Sequence, residues 1–347
     1  MRGVMKKWHA ERAGMIVVEP ATGRIKALVG LPDFNPNEFG KEKSFDVFLN
    51  PFVEKVFELG SVFKPLTMAA ALDTKAVTPD TTYFDAGQVK VGDRIIKNFD
   101  GKGRGVRTMT QVLEGSLNTG SVFVMQHLGK ENLKNYFEAY GLGEKLGVDM
   151  PGEVAGNLNN LKTWHDVEYA TASFGQGVAV TPLELAMALS SLGNGGKLMR
   201  PYIVESMSNG YVGSPQVIRQ VISPETSKTI SSMLVDVVDK ALAGGRVRKS
   251  GYTIAAKTGT AQIAGPNGIG YSATEYLHSF FGYFPAYQPR FIVVMFLERP
   301  QKVRYASETL TDPFIHMTDF LINYYTVPQD RGEGVTPSAT PPEEYPQ

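Results

Sequence analysis

The sequence predicts an α+β fold: an antiparallel sheet built from both chain ends, with an inserted helical subdomain. Three observations carry this. β-rich segments stand near the start, around residues 15–29, and again late, at 252–256, 278–284 and 291–297. The stretch between them is dominated by apolar helical patterns with recognisable caps. A regular βαβ rhythm is missing, which argues against a doubly wound parallel sheet.

The elements follow in chain order. Met15-Ile16-Val17-Val18 is β-branched, Pro20-Ala21-Thr22-Gly23 reads as a turn, and residues 25–29 return, so a hairpin opens the chain. Residues 31–60 are loop-rich, with Pro32, Asn35, Pro36, Asn37 and Gly40. Residues 65–72 are apolar on most faces and predict a buried helix. Thr181-Pro182-Leu183-Glu184 is a capping box with Pro at the first helical position, and Gly193 stops that helix. Ser223-Pro224 starts another, with Ile230, Met233, Leu234, Val237 and Val238 on one stripe. The two late strands at 278–284 and 291–297 are joined tightly by Pro285-Ala286-Tyr287-Gln288-Pro289. The expected layout is one domain over 1–326, with its sheet part at 1–30 and 245–326 and a mainly helical part at 31–244. A disordered tail follows at 327–347, where five prolines stand among few large apolar groups.

Composition narrows the function. The chain has 347 residues, 35 basic and 35 acidic, so its formal net charge is zero. That balance argues against a nucleic-acid binder, which needs a basic face for phosphates. With 42% hydrophobic residues there is enough apolar matter for a full core. The absence of cysteine excludes disulfides, thiolate metal sites and a cysteine nucleophile. No apolar run approaches the ~18 residues of a spanning helix. Met1-Arg2-Gly3-Val4-Met5-Lys6-Lys7 is followed by no apolar core and does not read as a signal peptide.

Three short motifs carry the chemistry. Ser61-Val62-Phe63-Lys64 opens the first buried helix, Ser116-Leu117-Asn118 sits in the helical block, and Lys257-Thr258-Gly259 ends a predicted strand. Positions i and i+3 share a helix face, so the Lys64 amine can reach the Ser61 hydroxyl. Ser61 follows Gly60 at the helix N-terminus, where free N–H groups favour a developing anion. A serine hydroxyl is a poor nucleophile until a neighbour takes its proton. A neutral lysine can do so if burial and a second cation, such as Lys257, lower its pKa. A glycine after Lys-Thr would let a substrate approach the strand backbone closely. Each motif alone has a plainer reading: Ser61 as a helix cap, Lys64 as a solvated stem, Ser116 and Asn118 as loop polarity, Lys257-Thr258-Gly259 as a strand end. Their conjunction weighs against those readings, since each occurs once, in this order and in the context the chemistry needs.

With these motifs the chain resembles the transpeptidase domain of class B penicillin-binding proteins. The resemblance extends to Val18-Glu19-Pro20-Ala21-Thr22-Gly23-Arg24-Ile25, Phe34-Asn35-Pro36-Asn37, Glu58-Leu59-Gly60-Ser61 and Ser173-Phe174-Gly175-Gln176-Gly177 before Thr181-Pro182. Lys257-Thr258-Gly259-Thr260-Ala261-Gln262 and Ser279-Phe280-Phe281-Gly282-Tyr283-Phe284-Pro285 complete it, over roughly residues 14–300. It implies the β-lactamase/transpeptidase-like form of the α+β fold, and a peptidoglycan D,D-transpeptidase that cross-links stem peptides through a serine acyl-enzyme and is inhibited by β-lactam antibiotics. Ser61 would be acylated by the penultimate D-Ala carbonyl, and Lys64 would take its proton. Ser116 would relay a proton to the leaving amine, and Asn118 would hold the substrate amide and Lys64. Lys257 and Thr258, with Gly259 beside them, would bind the substrate carboxylate or its β-lactam mimic. The N–H groups of Ser61 and Thr260 would form the oxyanion hole. No metal or organic cofactor is implied. The resemblance also implies membrane-anchored cell-wall synthesis partners, among them a glycosyltransferase, at the extracytoplasmic face of the bacterial plasma membrane. The family's anchor and non-catalytic N-terminal module are not expected in this chain.

Other candidates fare worse. Gly141, Gly143 and Gly147 have the wrong spacing for a dinucleotide loop and read as a helix-ending loop. His9, His127, His165, His278 and His316 show no metal-ligand spacing. His278 stands at a strand start near the site, either lining the cleft or, more simply, structural. Trp164 and Tyr169 read as packing residues. The stretch 265–276 is long for a hairpin loop and is expected to border the cleft. Two alternatives share the acylation chemistry: a serine β-lactamase or D,D-carboxypeptidase, and a β-lactam sensor or inactive scaffold. No dedicated water-activating carboxylate stands out. The intact motifs weigh against a scaffold, and the Gly-Thr-Ala-Gln and Ser-Phe-Gly-Gln-Gly flanks weigh against a lactamase.

Overall fold

The computed structural model describes residues 1–208, 210, 213–265 and 270–332. Its centre is a five-stranded antiparallel sheet. We number its strands β1 (Arg12–Val18), β2 (Ile25–Leu31), β3 (Ala255–Ala264), β4 (Tyr271–Phe284) and β5 (Phe291–Glu298). Their order across the sheet is β2-β1-β5-β4-β3. The first hairpin therefore pairs with the last strand, Val17 opposite Val293. Both chain ends share one sheet, as the distribution of β-rich segments predicts.

Both sheet faces are covered, and β4 shows how. Side chains alternate across a strand. Phe280 stacks on Phe314 of the C-terminal helix Ala306–Tyr324, with ring centroids 4.6 Å apart. Tyr283 points the other way and its hydroxyl meets Ser231 of the helix Pro224–Asp236 at 2.9 Å. Two-sided burial explains why β5 is apolar at nearly every position instead of alternating.

The inserted block is built around the helix Lys64–Asp73, buried through its first eight residues. The capping box at Thr181 and Glu184 forms at the start of the helix Pro182–Gly193. The Ser223 side chain caps the next helix by accepting from the Thr226 N–H. The block is less purely helical than the sequence predicts. It carries three small two-stranded sheets: Thr82–Asp85 with Gly105–Thr108, Gln88–Val91 with Arg94–Lys97, and Lys197–Met199 with Val217–Gln220. The helix Ala306–Tyr324 escapes the sequence pattern because Pro313 lies inside it.

Two further expectations are corrected. β3 and β4 run on past their predicted ends, so the stretch 265–276 is largely hairpin strand, with 266–269 outside the described residues. Extending the ladder satisfies backbone groups that a loop would leave to water. The tail does not begin at 327. Val327 O accepts from the Tyr252 hydroxyl, Asp330 accepts from Thr253 N at 2.8 Å, and Arg331 forms a two-pronged pair with Asp239 at 3.1 and 2.7 Å. Residues 333–347 of the expected tail lie outside the described residues.

Candidate active site

The nucleophile segment is a tight turn wedged against the sheet edge. Gly60–Phe63 form a single 3-10 turn that passes directly into the helix Lys64–Asp73. Gly60 takes φ +67°, a left-handed conformation that side chains disfavour, and a Cβ there would stand 3.0 Å from the Ala261 Cβ on β3. Behind the turn, Gly60 N–H donates to Gly175 O at 3.1 Å and the Thr67 hydroxyl to Ser173 O at 2.9 Å. The Ser173 to Gly177 segment thus braces the nucleophile turn, and Phe174 and Gln176 reach the cleft. Ser61 lines that cleft, which has a volume of about 490 Å³. Among the described residues its hydroxyl has no hydrogen-bond partner.

Lys64 and Lys257 meet at Ser116. Lys64 is 1% exposed and Lys257 2%. The Lys64 amine donates to the Ser116 carbonyl and, at 3.2 Å, to Ser116 Oγ. The Lys257 amine donates to the same Oγ at 2.9 Å and to Thr258 O at 3.1 Å. Ser116 is held with φ 50°, an uncommon conformation for a serine, between the helices Met109–Glu114 and Asn118–Leu128. Neither lysine has a carboxylate partner among the described residues. Burial, then the charges of Lys257 and Arg104, push the Lys64 ammonium well below the ordinary lysine range. Burial lowers Lys257 to about 7. The two-cation effect expected from sequence is therefore present, with Arg104 as a third contributor.

Other sequence expectations are redirected. The Lys64 amine rests on Ser116 and not on the Ser61 hydroxyl. Asn118 does not hold Lys64; its side-chain amide donates to Lys97 O at 2.9 Å, because Asn118 opens its helix facing the Gln88–Lys97 hairpin. Lys257-Thr258-Gly259 lies in the first half of β3, not at a strand end. The space at Gly259 is taken by protein, not left for a substrate: a Cβ there would meet Ser279 Oγ at 2.3 Å, Leu59 O at 2.7 Å and Val62 N at 3.1 Å. This glycine lets the nucleophile turn dock on β3. Thr258 and Thr260 line the cleft, and Thr260 Oγ1 also accepts from Ala306 N at 3.1 Å.

His278 is structural. It lies on the sheet face covered by the C-terminal helix, fully buried, bonded to Thr309 Oγ1 at 2.9 Å and Arg304 O at 3.0 Å. Burial lowers its pKa to about 4. Tyr169 is buried as expected, but Trp164 is 51% exposed and stacks over it at 5.9 Å.

Two groups were not legible as site features. Glu114, two residues before Ser116, lines the cleft. A buried network under the first turn of the helix Asn118–Leu128 joins Asp85, Asn98 and Thr119. Thr119 Oγ1 donates to Asp85 at 2.8 Å, and Asn98 Nδ2 to both Asp85 oxygens at 3.0 Å. The spacing from Glu114 to the Ser116 motif is the only sequence signal for the first. Nothing in sequence brings together the second. Among the described residues no group of three or more His, Asp or Glu is placed to hold a metal, and no helix is long and apolar enough to cross a membrane.

Comparison with known proteins agrees with this geometry. The family model for the penicillin binding protein transpeptidase domain matches residues 13–317. A peptidoglycan D,D-transpeptidase FtsI homolog from Mesostigma viride is 31% identical over 353 residues, covering 93% of this chain and 58% of that protein. Stage V sporulation protein D from Bacillus subtilis is 33% identical over 316 residues, covering 89% of this chain and 48% of that protein. The chain thus spans about half the length of the curated relatives it matches. Among solved structures, penicillin binding protein 3 from Mycobacterium tuberculosis complexed with aztreonam superposes with TM-score 0.85 at 26% identity, covering 94% of this chain and 76% of that one. The apo transpeptidase domain of Burkholderia pseudomallei penicillin-binding protein 3 gives TM-score 0.80 at 26% identity, covering 95% and 93%. With its motifs gathered on one cleft and the family model spanning most of its length, this chain belongs to the penicillin-binding protein transpeptidase domain family.

Proposed function

We propose that this chain is the catalytic portion of a peptidoglycan D,D-transpeptidase, working through an acyl-enzyme on Ser61 and inhibited by β-lactams. The observation that carries this is Ser116 Oγ held between two buried lysines that have no carboxylate partner among the described residues, in the cleft that Ser61 lines. A neutral lysine amine has two N–H groups and a lone pair. Both donors of Lys64 are used on Ser116, which leaves the lone pair for the Ser61 proton. Ser116 Oγ accepts from both lysines, so its own O–H is free to point into the cleft.

The steps follow. Ser61 Oγ bonds to the penultimate D-Ala carbonyl carbon while its proton goes to Lys64. The oxyanion forms against the Ser61 and Thr260 N–H groups, an arrangement commonly worth about 10²–10³ in rate per donor. Lys257 and Thr258 hold the terminal carboxylate, and Asn118 the substrate amide. The C–N bond then breaks, and a proton passes through the Ser116 hydroxyl to the leaving amine of D-Ala. The amine of a second stem peptide attacks the acyl carbon, and its proton returns to Ser61 by the reverse route. β3 is an edge strand of the sheet, so its unpaired backbone groups suit an extended peptide lying alongside. Residues 1–331 act as one catalytic domain in this reading, with the rest of a longer protein, an anchor and a glycosyltransferase partner at the extracytoplasmic membrane face.

The test is intact-protein mass over time after adding benzylpenicillin, with Ser61→Ala beside it. A lasting adduct on the native chain, absent from the variant, is the expected result. An adduct that forms and clears within seconds would point to a β-lactamase, and no adduct at all would overturn the mechanism.

A further inference from the structure

Glu114 is an ionisable group of the cleft that the steps above leave without a role. It ends the helix Met109–Glu114 and lines the cleft together with Ser116 and Lys257. Its side chain is 10% exposed. Among the described residues its carboxylate accepts no hydrogen bond. Lys240 Nζ stands 3.9 Å away, beyond hydrogen-bond reach, and lies closer to Asp236 at 3.2 Å; the Arg107 charge also acts on the carboxylate. Burial raises the Glu114 carboxyl pKa. A carboxylate so far out of water without a donor carries a desolvation cost that a visiting cation would offset.

Its position says which cation. Lys257 and Thr258 hold the terminal carboxylate in the reading above, so the terminal D-Ala departs on the Lys257 side. An incoming amine must approach the acyl carbon through the space that D-Ala vacates. Glu114 lines the same cleft, two residues from the serine whose Oγ touches Lys257. Val237 and Ala241 also line the cleft with apolar side chains, which offer an ammonium no competing acceptor.

We propose that Glu114 is the recognition site for the amino group of the second stem peptide, a primary ammonium bound in the space left by the departing D-Ala. The inference rests on the transpeptidase reading and adds the acceptor's docking point to it. Glu114 accepts hydrogen bonds from the ammonium; the proton shed before attack passes to water through the open mouth of the cleft.

The experiment uses the full chain, a thioester donor that leaves a D-alanyl acyl-enzyme, and D-alanine as the amine acceptor. Partition of the acyl-enzyme between amine and water is read against acceptor concentration, with benzylpenicillin acylation and thermal unfolding in parallel. Glu114→Gln is expected to need at least tenfold more acceptor for equal partition, a loss at least tenfold greater than any change in penicillin acylation. Glu114→Asp, which keeps the charge, is expected to recover part of it. Unchanged partition in Glu114→Gln overturns the proposal. So does an equal fall in partition and acylation, which would make Glu114 a support for Ser116. Slower clearing of the penicilloyl adduct in Glu114→Gln also overturns it, since the carboxylate would then serve water. A native chain that neither thioester nor penicillin acylates fails the transpeptidase reading itself, a result distinct from these.

Discussion

Glu184 and the two cleft lysines are buried alike, at 1%, 1% and 2% exposure, yet their surroundings are opposite. The Glu184 carboxylate accepts from the N–H groups of Thr181 at 2.6 Å, Gly156 at 2.8 Å and Gly143 at 3.0 Å. It ties two loops to a helix start; burial still raises its pKa, and the three donors oppose that shift while fixing geometry. Among the described residues Lys64 and Lys257 share one hydroxyl, reach one backbone carbonyl each and meet no carboxylate. Burial depresses the pKa of both, which leaves Lys64 a lone pair able to move a proton. Glu114 stands between the two cases: among the described residues its carboxylate accepts no hydrogen bond, and Lys240 lies 3.9 Å away. Burial alone does not mark a functional charge; burial without a partner does.

That contrast can be broken or sharpened by substitution. The largest effect is expected at the cleft. Ser61→Ala should form no penicilloyl adduct, and Lys64→Met should acylate at least ~10³-fold more slowly by stopped-flow, within the range a lost general base produces. Near-native acylation by Lys64→Met would remove Lys64 as the base.

Lys257→Met should slow acylation by ~10²-fold or more, in keeping with loss of a charge that holds a carboxylate. The same variant should unfold at a higher temperature than the native chain at pH 7 to 8. The sign follows from linkage. A lysine at about 7 when folded, against the ordinary 10.5, binds fewer protons folded than unfolded between those values. It therefore costs stability at low pH, and that cost fades as pH rises toward the unfolded value. Removing it should stabilise the protein most at low pH. A less stable Lys257→Met would mean that its bonds to Ser116 and Thr258 outweigh its desolvation.

The pH profile of acylation is the next test. Neutral Lys64 is required, so kcat/KM should rise as pH climbs through its depressed pKa. Charged Lys257 is required too, so the rate should fall again above about 7. Lys257→Arg should move the falling limb to higher pH, and an unmoved limb would assign it to another group.

Glu184→Gln should leave acylation per folded molecule unchanged while lowering stability by ~1–3 kcal/mol in urea unfolding, the cost of weakening a buried hydrogen-bonded network. A selective loss of acylation would erase the contrast between the two regions. Smallest of all, Arg331→Ala should lower stability by about 1 kcal/mol by loosening the C-terminal segment from Asp239, where both side chains are 13% exposed.

Much of this was legible in the sequence, unevenly. The two-ended sheet followed from where the β-rich segments fall, and the helix starts at Thr181 and Ser223 from their caps. The helix Ala306–Tyr324 was hidden by Pro313, and the small hairpins by strands only three or four residues long. The nucleophile segment was legible because a helix brings i and i+3 to one face. The partner of Lys64 was not, since Ser116 lies 52 residues away and only packing of two helices selects it over Ser61.

The sequence by itself determined the chemistry available: one Ser-x-x-Lys, one Ser-x-Asn, one Lys-Thr-Gly, in order, on a balanced, cysteine-free chain with an α+β pattern. Local propensity and periodicity suffice for that, because they act over a few residues. Only the tertiary structure decided which polar groups meet and which go without a partner. Gly259 proved to be a docking point for the nucleophile turn, His278 a tie to the C-terminal helix, and Glu114 a carboxylate in the cleft that accepts no hydrogen bond among the described residues. The physical reason is that pairing and desolvation are properties of three-dimensional neighbourhoods, set by contacts between residues far apart in the chain.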